Sequence, residues 1–171
     1  MRPLPVTLAF ALAIAAFGAR GAHAYCVRNA LSSMAVHAEI VALGGARPPK
    51  VFSETVAADR EFCCNPKNLD CNPDRTPDAG NVAFEARVEA GPGEPAVPCG
   101  IATTDARFPS RVGVMAPVRG TLRFESNARF DATRPASGAN PRFFLHTFRS
   151  DNHPAATYSC PPRALSATPH S

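Results

Sequence analysis

The chain carries none of the short signatures that mark the commonest enzyme chemistries. It has no Gly-x-Ser-x-Gly turn to present a nucleophilic serine, no His-Glu-x-x-His pair to hold zinc, and no glycine-rich loop to cradle phosphate. No two cysteines stand in Cys-x-x-Cys spacing, which excludes a ready dithiol for redox exchange, and the spacing of zinc fingers or ribbons is also missing. Apart from one run near the start, no apolar stretch approaches bilayer length, so no stable membrane insertion is expected. There is no internal repeat. These absences leave every carboxylate, serine and histidine without a catalytic assignment, and no cofactor is implied.

The apolar run near the start reads as a secretory leader. Arg2 supplies the charged start, Val6 to Phe17 the apolar stretch, and Ala22-His23-Ala24 the small-x-small cleavage pattern. Cleavage after Ala24 yields a mature chain beginning at Tyr25. A rival cut after Ala22 exposes His23 as the new terminus, whose amine and imidazole chelate copper. That cut places Arg20 where a small residue is preferred. Lipidation at Cys26 is disfavoured because Tyr25 stands where such signals want a small side chain. The expected organisation is a leader over 1–24, one β-rich domain over 25–160 and a flexible tail over 161–171.

The formal charge of the whole chain is +4, and removing Arg2 and Arg20 with the leader lowers it further. So mild a balance does not point to nucleic acid, and export makes that partner less fitting still. The charge is unevenly distributed. Residues 25–100 hold seven Lys or Arg against ten Asp or Glu, whereas residues 101–171 hold nine Arg against four acids. The halves either complement one another inside one fold or leave a basic face for an anionic surface.

Short alternating segments between Gly/Pro breaks predict an all-β protein: a disulfide-stabilised antiparallel sandwich or partly closed barrel. Met34, Val36, Ala38 and Ile40 form one face of a strand over Met34–Val41; a short helix over 35–43 is the alternative. Val82, Phe84, Ala86 and Val88 form one face of the cleanest strand. Val51–Val56, Val112–Met115, Val118–Phe124 and the aromatic Phe143–Phe148 complete the set. In Val118–Phe124, Gly120, Leu122 and Phe124 share a face opposite Arg119, Thr121 and Arg123. Cys63 to Gly80, rich in Asn, Asp and Pro, reads as a long irregular loop.

Six cysteines follow the leader: Cys26, Cys63, Cys64, Cys71, Cys99 and Cys160. An even number in an exported chain favours disulfides. The neighbours Cys63 and Cys64 are expected to take different partners. Cys71 can return to one of them, and Cys26 and Cys160 can tie the chain ends to the core. In the same loop, Asp70, Asn72 and Asp74 alternate like the first ligands of a calcium loop. The pattern then fails, with Arg75 at the tight-turn glycine position and Asn81 where the bidentate Glu belongs. His37 and Glu39 on one strand, joined by His146, form a conceivable metal set.

The function expected from these features is an exported, non-enzymatic binding or interaction domain. Its contact residues are expected to be Asn68 and Asn72 of the loop, extended by Arg119 and Arg123, whose planar guanidinium forks suit phosphate or carboxylate. An envelope or extracellular protein, a glycan or an anionic surface is the matching partner, and the location is secreted or periplasmic. A metal-binding exported protein, using calcium or copper, is the first alternative, and an exported hydrolase with an unfamiliar site the second. Intact mass of the exported protein should give a chain starting at Tyr25, six hydrogens lighter than its reduced form. A His23 start carrying copper contradicts that expectation.

Overall fold

The computed structural model describes residues 25–41, 51–65, 68–72, 80–91 and 93–162. The leader, His23, Asp74, Arg75 and residues 163–171 of the expected tail lie outside them. The described residues form two packed β-sheets, with no helix among them. The architecture is a sandwich rather than a closed barrel.

The strands are β1 (Tyr25–Asn29), β2 (Val36–Ile40), β3 (Ser53–Val56), β4 (Glu61–Cys64), β5 (Asn81–Val88), β6 (Val97–Cys99), β7 (Ile101–Ala102), β8 (Val112–Pro117), β9 (Gly120–Ser126), β10 (Phe143–Phe148) and β11 (Pro154–Cys160). The first sheet runs β11-β10-β9-β1-β4 and the second β3-β2-β5-β8-β7, with β6 also paired to β5. The pairing is antiparallel except that β1 lies parallel to β9, Val27 opposite Leu122. Against the alternative of a short helix over 35–43, the described residues supply the strand Val36–Ile40; residues 42 and 43 lie outside the described residues. Cys63 and Cys64 belong to β4 rather than to the irregular loop expected from Cys63 onward.

Strand alternation builds the core, because successive side chains point to opposite faces of a sheet. The second sheet turns Val36, Ala38 and Ile40 of β2, Phe84, Ala86 and Val88 of β5, and Val114 and Ala116 of β8 inward. The first sheet answers with Tyr25, Val27, Leu122, Phe124, Phe143 and Leu145. The Tyr25 ring meets Phe52 and Phe84 edge-on, with centroids 5.0 and 4.9 Å away. One buried polar side chain closes the β1–β2 corner. The Asn29 amide donates to the carbonyls of Met34 (2.7 Å) and Val56 (3.0 Å), while its oxygen accepts the Leu31 N–H (3.0 Å).

The same alternation sorts the cysteines. Cys63 points outward and joins Cys26, its direct cross-strand partner, with Cα atoms 4.0 Å apart. Cys64 points inward and joins Cys71, closing a short loop against the core. Cys99 of β6 and Cys160 of β11 are both fully buried and bond one sheet to the other. The expectation that Cys63 and Cys64 take different partners, with Cys71 returning to one of them, is met.

The segment 97–102 pairs with β5 up to Cys99 and, past Gly100, with β8. Gly100 has φ +143°, and a Cβ there would lie 2.5 Å from the Gly113 carbonyl oxygen. Only glycine lets the strand change neighbours at this point. At Gly120 a Cβ would come within 2.2 Å of the Phe148 carbonyl oxygen. Gly120→Ala should therefore lower unfolding stability by about 1–3 kcal/mol, the range for overpacking a tight site. Urea unfolding checks this, and an unchanged midpoint would contradict so close an approach.

Candidate ligand-binding face and cleft

The outward side chains of the first sheet form an ordered surface. Register places Glu61, Arg28, Arg123, His146 and Thr157 in one row across β4, β1, β9, β10 and β11. Along β10, where Phe143, Leu145 and Thr147 are buried, Phe144, His146 and Phe148 face outward. Their rings lie side by side, with centroids 5.9 and 6.4 Å apart. His146 Nδ1 is 2.9 Å from Thr157 Oγ1, and its Nε2 is 3.8 Å from Glu125. Arg123 Nε approaches Glu125 Oε1 as an ion pair at 2.5 Å, without the alignment of a hydrogen bond.

One end of this surface opens into a cleft of about 840 Å³. Phe144, Thr157, Tyr158 and Ser159 line its sheet side, Gly100 and Ile101 its flank, and residues 126–129 and 138–141 the opposite wall. The wall belongs to the β9–β10 connection, which hydrogen bonds hold in shape. The buried Asn140 amide donates to the Asp131 carbonyl (2.9 Å), and its oxygen accepts the Asp131 N–H (3.1 Å). Asn127 donates to the Pro141 carbonyl (2.7 Å) and accepts the Arg129 N–H (2.9 Å). The Asp131 carboxylate accepts the Thr133 hydroxyl (2.6 Å) and N–H (3.0 Å), which holds its carboxyl below the usual range. Side-chain bonds to neighbouring backbone are how Asn and Asp order a loop lacking sheet partners.

The flank is fixed as firmly. Gly100 N–H donates to the Ser159 carbonyl (3.3 Å). The Tyr158 hydroxyl donates to the Met115 carbonyl (2.9 Å) and accepts the Met115 N–H (3.2 Å), tying β11 to β8. Burial raises the Tyr158 phenol pKa, opposed by its bond to Met115. A smaller cleft of about 220 Å³, sharing Ser126 and Asn127 with the first, carries Arg142 on its rim.

The residues expected from the sequence to bind a ligand fall on three separate elements. Asn68 and Asn72 flank the end of the loop closed by Cys64 and Cys71, where the Asn68 oxygen accepts the Asp70 N–H (3.1 Å) in a local turn. Arg119 occupies the β8–β9 turn with φ +60°, and Arg123 lies in the outer row described above. Of the calcium-like set, Asp70 lends its backbone carbonyl to Phe52 N–H (2.8 Å), and Asp74 lies outside the described residues. The cleft has no local sequence signature, because its parts come from four separate stretches between Gly100 and Ser159; the aromatic run Phe143–Phe148 is the one visible signal.

His37 and His146 do not meet. Each points away from the core, one on the second sheet and one on the first, so the two occupy opposite faces of the sandwich. His37 Nδ1 is 3.0 Å from Thr55 Oγ1, and its Nε2 is 3.3 Å from Ser53 Oγ. Both ring nitrogens face hydroxyls, so the Ser53–His37 pair lacks the orienting carboxylate of a hydrolytic triad. Among the described residues, one cluster of metal-type groups gathers within 4.8 Å: Cys26, Glu61 and Cys63. Its two sulfurs are bonded to each other, so neither is available as a thiolate ligand.

No protein family, curated protein or solved structure matches the chain. The chemistry of the surface is therefore argued from its own residues. No helix among the described residues is long and apolar enough to cross a membrane.

Burial, aided by the Arg87 guanidinium, lowers the His37 pKa against the opposing pull of Glu89, Glu39 and Glu54. The unfolded chain then takes up this proton first as pH falls below about 6.5. His37 contributes stability above that pH and loses it as pH falls toward the folded-state value. Unfolding midpoints measured from about pH 7 to 5 should drop more steeply for the wild type than for His37→Gln. Equal slopes would contradict the shift.

Proposed function

We propose that this chain is an exported, non-enzymatic binding domain whose contact surface is the cleft beside β10 and β11. The carrying observation is the cleft itself, about 840 Å³ in volume and walled by a loop already held in place by Asn127, Asp131 and Asn140. Its volume falls in the range of about 300–1,000 Å³ usual for ligand sites. A wall that is ordered beforehand loses little freedom on binding, which favours affinity. Phe144 offers a partly exposed apolar ring while Ser126, Thr157 and Ser159 add hydroxyls around it. Three disulfides fit a protein that works in an oxidising compartment, secreted or periplasmic.

The metal-binding alternative rests on Asp70, Asn72 and Asp74 for calcium or His23 for copper. The hydrolase alternative has Ser53 and His37 as its nearest approach to a dyad. The cleft beside β10 and β11 contains none of these residues.

Hydrogen–deuterium exchange of the exported protein, with and without concentrated surface material from the producing cells, tests the reading. Protection is expected at 126–129, 138–144 and 157–159. Protection confined to the outer face of the second sheet, or none anywhere, would overturn it.

A further inference from the structure

We infer that the cleft takes an acidic glycan, a chain of pyranose rings bearing carboxylates such as uronic acids; this rests on the cleft being the binding surface. Charge comes first. Apart from β6, which packs on β11, strands from the chain's first half lie to one side of each sheet and strands from its second half to the other: β4 and β1 beside β9, β10 and β11, and β3, β2 and β5 beside β8 and β7. Across the sandwich, β8 packs on β9, β10 and β11 while β1 packs on β3. The charge imbalance along the sequence thereby becomes an imbalance across the molecule. Residues 101 to 162, which build most of the side holding the cleft, carry eight arginines and four acids, and Glu85 joins them through Ser110.

Several of those arginines are already committed. Arg107 pairs with Asp105, whose carboxyl it pulls down to about 2, Arg123 pairs with Glu125, and Arg111 donates to the Thr104 carbonyl. Arg142, in the adjoining cleft, lies over the Phe143 ring, 5.2 Å from its centroid, whereas Arg129 on the cleft wall has no ion-pair partner among the described residues. An exposed guanidinium is a planar fork matched to carboxylate. Arg129 offers such a fork at the cleft wall, where it suits a ligand bearing carboxylates.

The sheet side of the cleft favours a sugar over a peptide. The negative face of an aromatic ring such as Phe144 attracts the polarised C–H bonds on one side of a pyranose. On the β11 side Ser159 is its direct cross-strand neighbour and Thr157 lies diagonally beyond, so hydroxyls flank the ring there as sugar hydroxyls require, while on the β9 side its neighbour is Glu125, which Arg123 pairs. An acidic peptide would need free main-chain groups to add as a strand. β11 is the edge strand of its sheet, but at the Ser159 end, beside Phe144, its outward carbonyl already accepts the Gly100 N–H, which blocks strand addition there.

The test is an NMR titration of the exported full-length chain with oligogalacturonate, with its carboxyl-reduced neutral counterpart and poly-L-glutamate run in parallel. Oligogalacturonate should bind saturably, with shifts centred on Phe144, Thr157 and Ser159. Arg129→Gln should weaken it about tenfold or more. Phe144→Leu, which keeps apolar volume but removes the flat ring, should weaken it about three- to tenfold. Both variants must retain the wild-type melting temperature. Equal binding of the neutral oligomer would overturn the charge argument, and tighter binding of poly-L-glutamate would make the ligand an acidic peptide. No binding of oligogalacturonate, with the exchange footprint from surface material still at the cleft, overturns the glycan and leaves the cleft standing. Shifts on the second sheet's outer face overturn both.

Discussion

Two sheets packed face to face remain free to splay at their edges, and here one edge is closed by a covalent bond. Cys99 and Cys160, 61 residues apart in sequence, join β6 to β11 inside the core. On a chain-entropy estimate, a crosslink of that span contributes roughly 4 kcal/mol against the unfolded state. Its local consequence matters as much. The bond holds Gly100 against Ser159, and the Tyr158 hydroxyl then reaches the Met115 backbone. The cleft flank is this seam, so its shape follows from the linkage of the sheets rather than from any single loop.

The other two disulfides act on the opposite side of the sandwich and follow from strand geometry. Neighbouring residues on a strand point to opposite faces, so Cys63 and Cys64 are directed to different partners. One partner is across the strand pair on the outer face and the other is in the core. The Cys64–Cys71 loop then lies over the core end, where the Asp70 carbonyl binds Phe52 and Phe52 packs on Tyr25. Residues resembling a calcium loop serve here, as far as they are described, in turns and backbone bonds.

Strands with a clean period of two were legible from residue types. Val36–Ile40, Val82–Val88 and Gly120–Phe124 each appear with the inward set expected, and Phe143–Phe148 appears as a strand. β1 and β4 were hidden because their cysteines and short length blur the alternation, and β11 because Pro154 and small residues give it little hydrophobic contrast. The parallel pairing of β1 with β9 has no local signature at all. The cleft was illegible for a related reason: Arg129, Phe144, Tyr158 and Gly100 become neighbours only through sheet order. The arginine excess of the second half was legible, but where it falls on the sandwich depends on topology.

The account stands or falls on whether the seam positions the cleft. Amide exchange compared between the paired variants Cys99→Ala/Cys160→Ala and Cys26→Ala/Cys63→Ala measures that directly. Loss of protection concentrated at 100–101, 126–129 and 157–159 in the first variant alone is the predicted result. Equal loosening in both variants, or an unchanged cleft without the Cys99–Cys160 bond, would contradict it.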